Sequence, residues 1–330
     1  MVDSEIKQWD EIKEDFQGAD ILLGNGFSIN LYEGFNYTAL FSSFLESLPE
    51  KQKEIYSRFD TANFESILKD LTRTKQINSL FGIEETKLDI AMNEIRNGLI
   101  QSITFGHPQT DQIDRPRIHK TEIALRFFSD VYTLNYDLFL YYIVLNAKKR
   151  FDKGEINSAY SDHFWGSHSK QFRSFNYPIT DSRYSAVYYL HGAIFLFNNG
   201  FSAKKRIVKF PESNLLESIT KEIISGEIPL FISEGNSEEK KRMIYQNDYL
   251  VRGFENFKSN TKNLVIYGAS LSGADMHIVE AINNRMMKGI AVGLFLPNLS
   301  KLELESEMVR FKRLFKHNEP VFFNSSTLFN

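Results

Sequence analysis

Ile21-Leu22-Leu23-Gly24-Asn25-Gly26-Phe27-Ser28 is the stretch on which the fold turns. Three apolar residues predict a short buried strand, and a glycine-bearing turn follows at once. The arrangement recurs. Val131-Tyr132-Thr133 leads into Leu134-Asn135-Tyr136-Asp137, and Val187-Tyr188-Tyr189-Leu190 leads into His191-Gly192. A fourth case is Leu264-Val265-Ile266-Tyr267, ending at Gly268-Ala269-Ser270. In open α/β sheets ligands bind beyond the carboxyl ends of the strands. Strand ends carrying backbone-exposing glycine or polar side chains therefore point to one shared site, and the residue types suit a nucleotide.

Helical periodicity fills the spaces between these strands. Ile6, Trp9, Ile12 and Phe16 predict an amphipathic helix over 4–17, with Gly18 as its stop. Residues 37–128 read as helical throughout. Their stripes are Leu40, Phe41, Phe44, Leu45 and Leu48, then Phe64, Ile67, Leu68 and Leu71, then Leu88, Met92, Ile95, Leu99 and Ile103. Leu138 to Leu145 predicts another helix, and the polar, unperiodic stretch 150–186 predicts a long loop or flap. Within 193–262 the sequence predicts a hairpin around Arg206–Phe210, a helix bearing Leu215, Leu216, Ile219 and Ile223, a strand over Pro229–Ser233, and a helix from Ser237. Ser272 and Asp275 have capping-box spacing ahead of a helix that runs to Gly289 and carries Ile278, Val279, Ile282 and Met286. Strands at Ala291–Leu296 and Val321–Phe323, with a helix over Leu302–Phe315 between them, finish the pattern.

The expected fold is thus α/β: a Rossmann-like, mostly parallel sheet with helices on both faces, plus a helical insertion lobe. Residues 1–36 and 129–330 would form the core, 37–128 the lobe, and 193–262 a second insertion inside the core.

The chain has 330 residues and a net charge of -3, so its composition sets up no strong field for nucleic acid. It has no cysteine, which excludes disulfides, thiolate catalysis and cysteine-held zinc. None of the seven histidines forms a helical metal pair; His163 and His168 lie five apart in a stretch predicted as loop. There is no signal-like apolar core at the N-terminus and no window long enough for a bilayer span. A soluble, cytoplasmic protein is the expectation, without membrane or direct nucleic-acid contact.

Each motif read alone leaves two readings open. Gly24-x-Gly26-x-Ser28 either brings backbone and hydroxyl donors to a pyrophosphate or is an ordinary turn with two glycines. Asn135 and Asp137, two apart in extended chain, share a face and either recognise a ligand amide and hydroxyl or cap the next helix. His191 either acts as a base near neutral pH or is a structural histidine. Gly268 and Ser270 either contact a ribose or phosphate or belong to the start of a helix.

The order of the motifs narrows these choices. Gly24-x-Gly26-x-Ser28, Thr133-x-Asn135-x-Asp137, His191-Gly192 and Gly268-x-Ser270-Leu271 resemble, in sequence, the four NAD-binding segments of the sirtuin family. The likeness spans residues 20 to about 323 and rests on the strand ends. Two departures stand out. The four-cysteine zinc module of sirtuin deacylases is missing, and Asn30-Leu31-Tyr32-Glu33 lacks their Pro-Asp-Phe-Arg pattern. In this the chain is more similar to divergent bacterial sirtuin-like domains, which Phe231–Asn236 also resembles. Members of that group often hydrolyse NAD as anti-phage effectors.

The resemblance implies NAD as substrate, no zinc, and cleavage of NAD to nicotinamide and ADP-ribose in abortive infection. It implies Asn135 beside the nicotinamide ribose orienting a water, Asp137 on the carboxamide, and His191 on the ribose hydroxyls. Gly24, Asn25, Gly26, Ser28, Thr133, Gly268 and Ser270 would line or hold the remainder of the dinucleotide. It leaves room for a sirtuin-type ADP-ribosyltransferase or deacylase, or for a binding module without turnover. Because a toxic hydrolase needs restraint, a separately encoded sensor or activator, or homo-oligomer assembly, is expected.

Overall fold

A computed structural model of the chain describes residues 5–32, 40–59, 64–108, 114–178, 181–207, 214–232, 235–298 and 300–329. It begins with β1 (Ile6–Lys7), α1 (Trp9–Ile12), β2 (Asp20–Leu23) and α2 (Asn25–Leu31). Five helices follow: α3 (Leu40–Ser47), α4 (Glu50–Arg58), α5 (Phe64–Leu80), α6 (Thr86–Gly106) and α7 (Arg115–Leu125). Next come β3 (Val131–Thr133), α8 (Phe139–Asp152), β4 (Ala159–Ser161), β5 (Phe164–Ser167), β6 (Phe172–Phe175) and β7 (Tyr184–Tyr189). The chain continues through β8 (Gly192–Asn199), β9 (Ser202–Arg206), α9 (Leu215–Ile224), β10 (Pro229–Phe231), α10 (Ser237–Ile244) and α11 (Asp248–Ser259). It closes with β11 (Leu264–Tyr267), α12 (Met276–Asn284), β12 (Ile290–Leu294), α13 (Lys301–Leu314) and β13 (Val321–Asn324).

Eight strands form one sheet in the order β1-β13-β12-β11-β2-β3-β7-β4. Every neighbouring pair in it is parallel, which bears out the expected α/β, Rossmann-like class. Its central strands are buried on both faces, as parallel strands covered by helices must be. Ile21, Leu22, Leu23, Leu264, Val265 and Ile266 are wholly inaccessible. From β2 the chain builds outward through β3 and β7, then returns at β11 on the other flank of β2 and builds the opposite way. Strand order therefore reverses between β2 and β11, and the crevice beyond their carboxyl ends is where such sheets bind ligands.

A second sheet is antiparallel, in the order β10-β8-β9-β6-β5. The chain passes from the first sheet to the second at Leu190 and His191, between β7 and β8. Gly192 makes this junction feasible. Its φ is +72°, and a Cβ there would lie 2.2 Å from the Leu230 carbonyl oxygen of β10.

Helices α3 to α7 fill the interval between β2 and β3, as the apolar stripes predict. Phe44, Leu48, Ile67, Leu68, Ile95, Leu99 and Ile103 are buried there. Residues 37–39, and the side chains of Leu40, Phe41 and Phe64, lie outside the described set.

Other expectations are corrected. The continuous helix over 4–17 is replaced by β1, the short α1 and a 3-10 turn at Lys13–Phe16. Ile6 and Lys7 pair with Phe322 and Phe323, so ladder hydrogen bonds at the sheet edge replace the first helical turn, while Trp9, Ile12 and Phe16 still reach the core. The predicted flap over 150–186 contains β4, β5 and β6 and runs into β7. These strands are three or four residues long and mix polar with aromatic side chains, so no clean alternation marks them. His163 sits in the bend between β4 and β5, buried at φ +65° among the rings of Trp165, Phe175, Tyr177 and Tyr188. The hairpin lies earlier than predicted, β8 and β9 being joined by Gly200 at φ +65°; residues 208–210, like Ser233, fall outside the described set. Helix α12 ends at Asn284, short of Gly289, and Met286 is exposed beyond it.

Candidate functional site

The loops after β2 and β11 lie backbone on backbone. Gly24 N–H donates to the Tyr267 carbonyl at 2.9 Å, and Gly26 N–H to the Gly268 carbonyl at 2.8 Å. A Cβ on Gly24 would lie 2.4 Å from Ala269 Cα, and one on Gly268 would lie 2.7 Å from Gly26 Cα at a φ of +66°. Glycine is thus required for these two loops to approach each other. The Gly26 N–H faces Gly268 rather than a phosphate.

Beyond β3, a hydrogen-bonded chain ties five of the predicted residues together, Thr133, Asn135, Gly24, Ser28 and Asp137. The Thr133 hydroxyl accepts the Asn135 backbone N–H at 3.0 Å. Asn135 Nδ2 donates to the Gly24 carbonyl at 2.9 Å and to Ser28 Oγ at 2.9 Å. The Ser28 hydroxyl in turn donates to Asp137 Oδ2. A carbonyl can only accept, so the bond to Gly24 fixes the amide orientation and leaves Asn135 Oδ1 as the atom available to the cleft.

Asp137 has both carboxylate oxygens engaged within the protein. Its Oδ1 accepts the Phe139 N–H at 2.8 Å, its Oδ2 accepts from Ser28, and its side chain is buried. Burial raises its pKa to about 6, against the lowering by the Ser28 and Phe139 hydrogen bonds. The carboxylate holds Ser28, and through it Asn135, ahead of α8, and it is not among the residues that line the cleft.

Beyond β7, His191 is buried and pinned by its carbonyl, which accepts the Ile232 N–H at 2.7 Å. Its Nε2 lies 3.0 Å from Nε2 of His277, on α12. Burial, with help from Lys240 and His277, pushes His191 well below the usual histidine range, and burial brings His277 to about 4. Both rings are therefore neutral at pH 7. Lys240, on α10, pairs with Asp275 at 3.0 Å, and both line the cleft beside His191. Asp275 thus does not complete the capping box read from Ser272, which makes no side-chain cap bond.

These parts enclose a half-open cleft of about 130 Å³ at the crevice between β2 and β11. Of the predicted residues, Gly24, Asn25, Asn135, His191 and Ser270 line it. Gly26, Ser28, Thr133, Asp137 and Gly268 stand behind its wall, where Ser28 and Thr133 are wholly buried. Ser28 thus supports Asn135 from behind the cleft wall. Asn25 Oδ1 is buried without a hydrogen-bond partner, the state of an acceptor that meets its donor on a ligand or water. With Asn135 Oδ1 and the Nδ1 of His191, the cleft offers acceptors to a hydroxyl-rich ligand such as a ribose.

Lys240, Asp275 and His277 were missed in the sequence. The available signal was misplaced polarity: Lys240 is four residues before the buried Ile244, and His277 four before the buried Ala281, positions that a helix gives to its apolar face. Among the described residues no group of three or more histidine and acidic side chains could hold a metal ion. No described helix is long and apolar enough to cross a membrane.

Residues 21–328 match the family model of a domain of unknown function, DUF4917, and the chain belongs to that family. The match takes in the second sheet, the first sheet from Ile21 of β2 onward, and every residue of the cleft. No curated protein matches the chain.

Proposed function

We propose that the cleft binds NAD and hydrolyses its nicotinamide–ribose bond, releasing nicotinamide and ADP-ribose. The observation carrying this reading is that Asn135 and His191, from separate strand ends, line one cleft at the strand-order reversal. In the reaction the bond from ribose C1′ to the pyridinium nitrogen breaks, and its electron pair leaves with neutral nicotinamide. The sugar passes through an oxocarbenium-like state, so the enzyme has to position and dehydrate it rather than supply a strong nucleophile. Asn135 Oδ1 accepts one hydrogen of the attacking water and His191 Nδ1 receives the other as the C1′–O bond forms. Asn25 and Ser270 contact the ribose and its neighbouring phosphate, and Asp137 with Ser28 keeps Asn135 in place.

Such an enzyme is toxic to its own cell, which fits an effector of bacterial anti-phage defence acting by NAD depletion. Its control would come from a separately encoded sensor or activator, or from assembly of copies. Mass measurement by size exclusion, with and without genetic neighbours, tests that part; an active lone monomer counts against it. The primary test is NAD consumption with product identification. Asn135→Ala and His191→Ala should each abolish it, and turnover retained in both removes the assignment. A second reading, a module that binds NAD or ADP-ribose without turnover, draws on the weak basicity of the buried His191. Tight binding without nicotinamide release would favour it, and transfer of ADP-ribose to an acceptor would identify a transferase instead.

A further inference from the structure

A neutral histidine buried beside a lysine is a poor place to leave a proton, yet hydrolysis delivers one to His191. Resting on the reading that His191 works at its cleft-facing nitrogen, we propose that His277 and Ser237 form a proton wire behind it, leading from the cleft to the protein surface. His191 Nε2 and His277 Nε2 are 3.0 Å apart, with their rings stacked at 29°. His277 Nδ1 lies 3.3 Å from Ser237 Oγ, and the same oxygen accepts the His277 backbone N–H at 2.7 Å. His277 is wholly buried, whereas Ser237, the first residue of α10, is partly exposed. The three groups therefore span from the cleft to solvent.

Two neutral imidazoles joined Nε2 to Nε2 share one proton, so their tautomers are coupled. With that proton on His191, the Nδ1 lone pair is open to the cleft. His277 then carries its proton on Nδ1 and donates it to Ser237 Oγ, whose second lone pair takes the backbone N–H. When water attacks, His191 gains a proton on Nδ1 and gives its Nε2 proton to His277 Nε2. His277 gives its Nδ1 proton to Ser237 Oγ, and Ser237 releases its own hydroxyl proton to solvent. One proton enters, one leaves, and each ring ends neutral. An isolated His191 would instead have to hold an imidazolium, disfavoured by burial and by the charge of Lys240. Around His277 the facing charges are Asp275, Glu280, Lys240 and Lys241, of mixed sign. Breaking the wire should leave His191 a base only through that costly cation. His277 and Ser237 are thus positioning residues that act through His191.

The test is imidazole 15N NMR on the full-length chain, together with NAD turnover. Wild type should show His191 protonated on Nε2 and His277 on Nδ1 at pH 7. His277→Phe keeps a flat ring and should release His191 into mixed tautomers, lowering kcat about 10²-fold with little change in KM. Ser237→Ala, on the partly exposed end, disturbs the fold least and should lower kcat several-fold while altering the His277 signal. Asn135→Ala should abolish turnover yet leave the His191 tautomer untouched. An unchanged His191 tautomer in His277→Phe overturns the wire, as does a kcat unmoved by both wire variants. Coupled tautomers in a wild-type chain that never consumes NAD, even with its genetic neighbours, would overturn the hydrolase reading while sustaining the His191–His277–Ser237 connection.

Discussion

The two ends of β2 solve the burial of polar groups in opposite ways. At the amino end Asp20 and Arg285 are both fully buried and bonded at 2.7 Å. Arg285 also donates to the Phe257 and Lys262 carbonyls, at 2.7 and 3.0 Å. At the carboxyl end, four residues along, Asn25 Oδ1 has no partner, Asn135 keeps an oxygen toward the cleft, and His191 is held neutral. One edge of the sheet directs its polar atoms at each other, Arg285 Nε excepted; the other directs them at a space a ligand can enter. The strand is buried throughout and apolar from Ile21 to Leu23, so the difference arises from what its neighbours bring to each end.

The largest way to break this comparison is Arg285→Ala. It leaves the Asp20 carboxylate buried with only the Asp130 N–H at 3.3 Å and the Lys262 ammonium at 3.9 Å, and urea unfolding at pH 7 should show a loss of about 3–5 kcal/mol. A loss below about 1 kcal/mol would mean that the amino edge is no staple. At the carboxyl edge, Asn135→Ala should abolish detectable NAD turnover, a loss of at least about 10²–10³-fold, the scale set by removing one preorganised polar group from a reacting centre. Its stability should drop only about 1–2 kcal/mol from two lost hydrogen bonds. Equal losses of stability in the two variants would erase the distinction between staple and site.

Gly268→Ala probes the contact joining the loops, where the added Cβ meets Gly26 at 2.7 Å with φ at +66°. A destabilisation of about 2–3 kcal/mol is expected from the combined backbone strain and overpacking. Thermal melts read it directly.

The smallest effect concerns pH. His277 has a folded pKa of about 4 against 6.5, so below pH 6.5 the unfolded chain binds a proton that the folded chain does not. Stability from this group is intact above pH 6.5 and is lost as pH falls toward 4, by at most about 1.4 kcal/mol per pH unit. His277→Phe should flatten that slope by up to one proton. Asp137 works the other way: its pKa is raised from 3.8 to about 6, so its buried charge weakens the fold above pH 6 and that penalty fades on acidification. Asp137→Asn should therefore steepen the acid loss. Urea titrations at pH 7, 6 and 5 separate the two.

Much of the fold was legible because burial on both faces leaves a local signature. Ile21-Leu22-Leu23 and Leu264-Val265-Ile266 read as covered parallel strands and are such strands. The stripes of α5 and α6 read as helices for the same reason. The strands β4, β5 and β6 did not, since strands of three and four residues are too short for a period to appear. In the cleft, Asn135 and His191 were legible as polar residues just past apolar runs. Asp137 and Ser28 were named with them, although the structure sets Ser28 against Asn135 and Asp137 against Ser28, behind the cleft wall.

By itself the sequence determined the parallel core, the helical segment between β2 and β3, and the strand ends where a ligand would meet the sheet. These follow from periodicity and turn chemistry, which act between near neighbours. Only the tertiary structure decided what each polar atom faces. It set Gly26 against Gly268, closed Asp137 onto Ser28, and brought Lys240, Asp275 and His277 to the side of His191. Those pairings join residues far apart in the chain, and they form only when packing of the two sheets and their helices fixes where each side chain points.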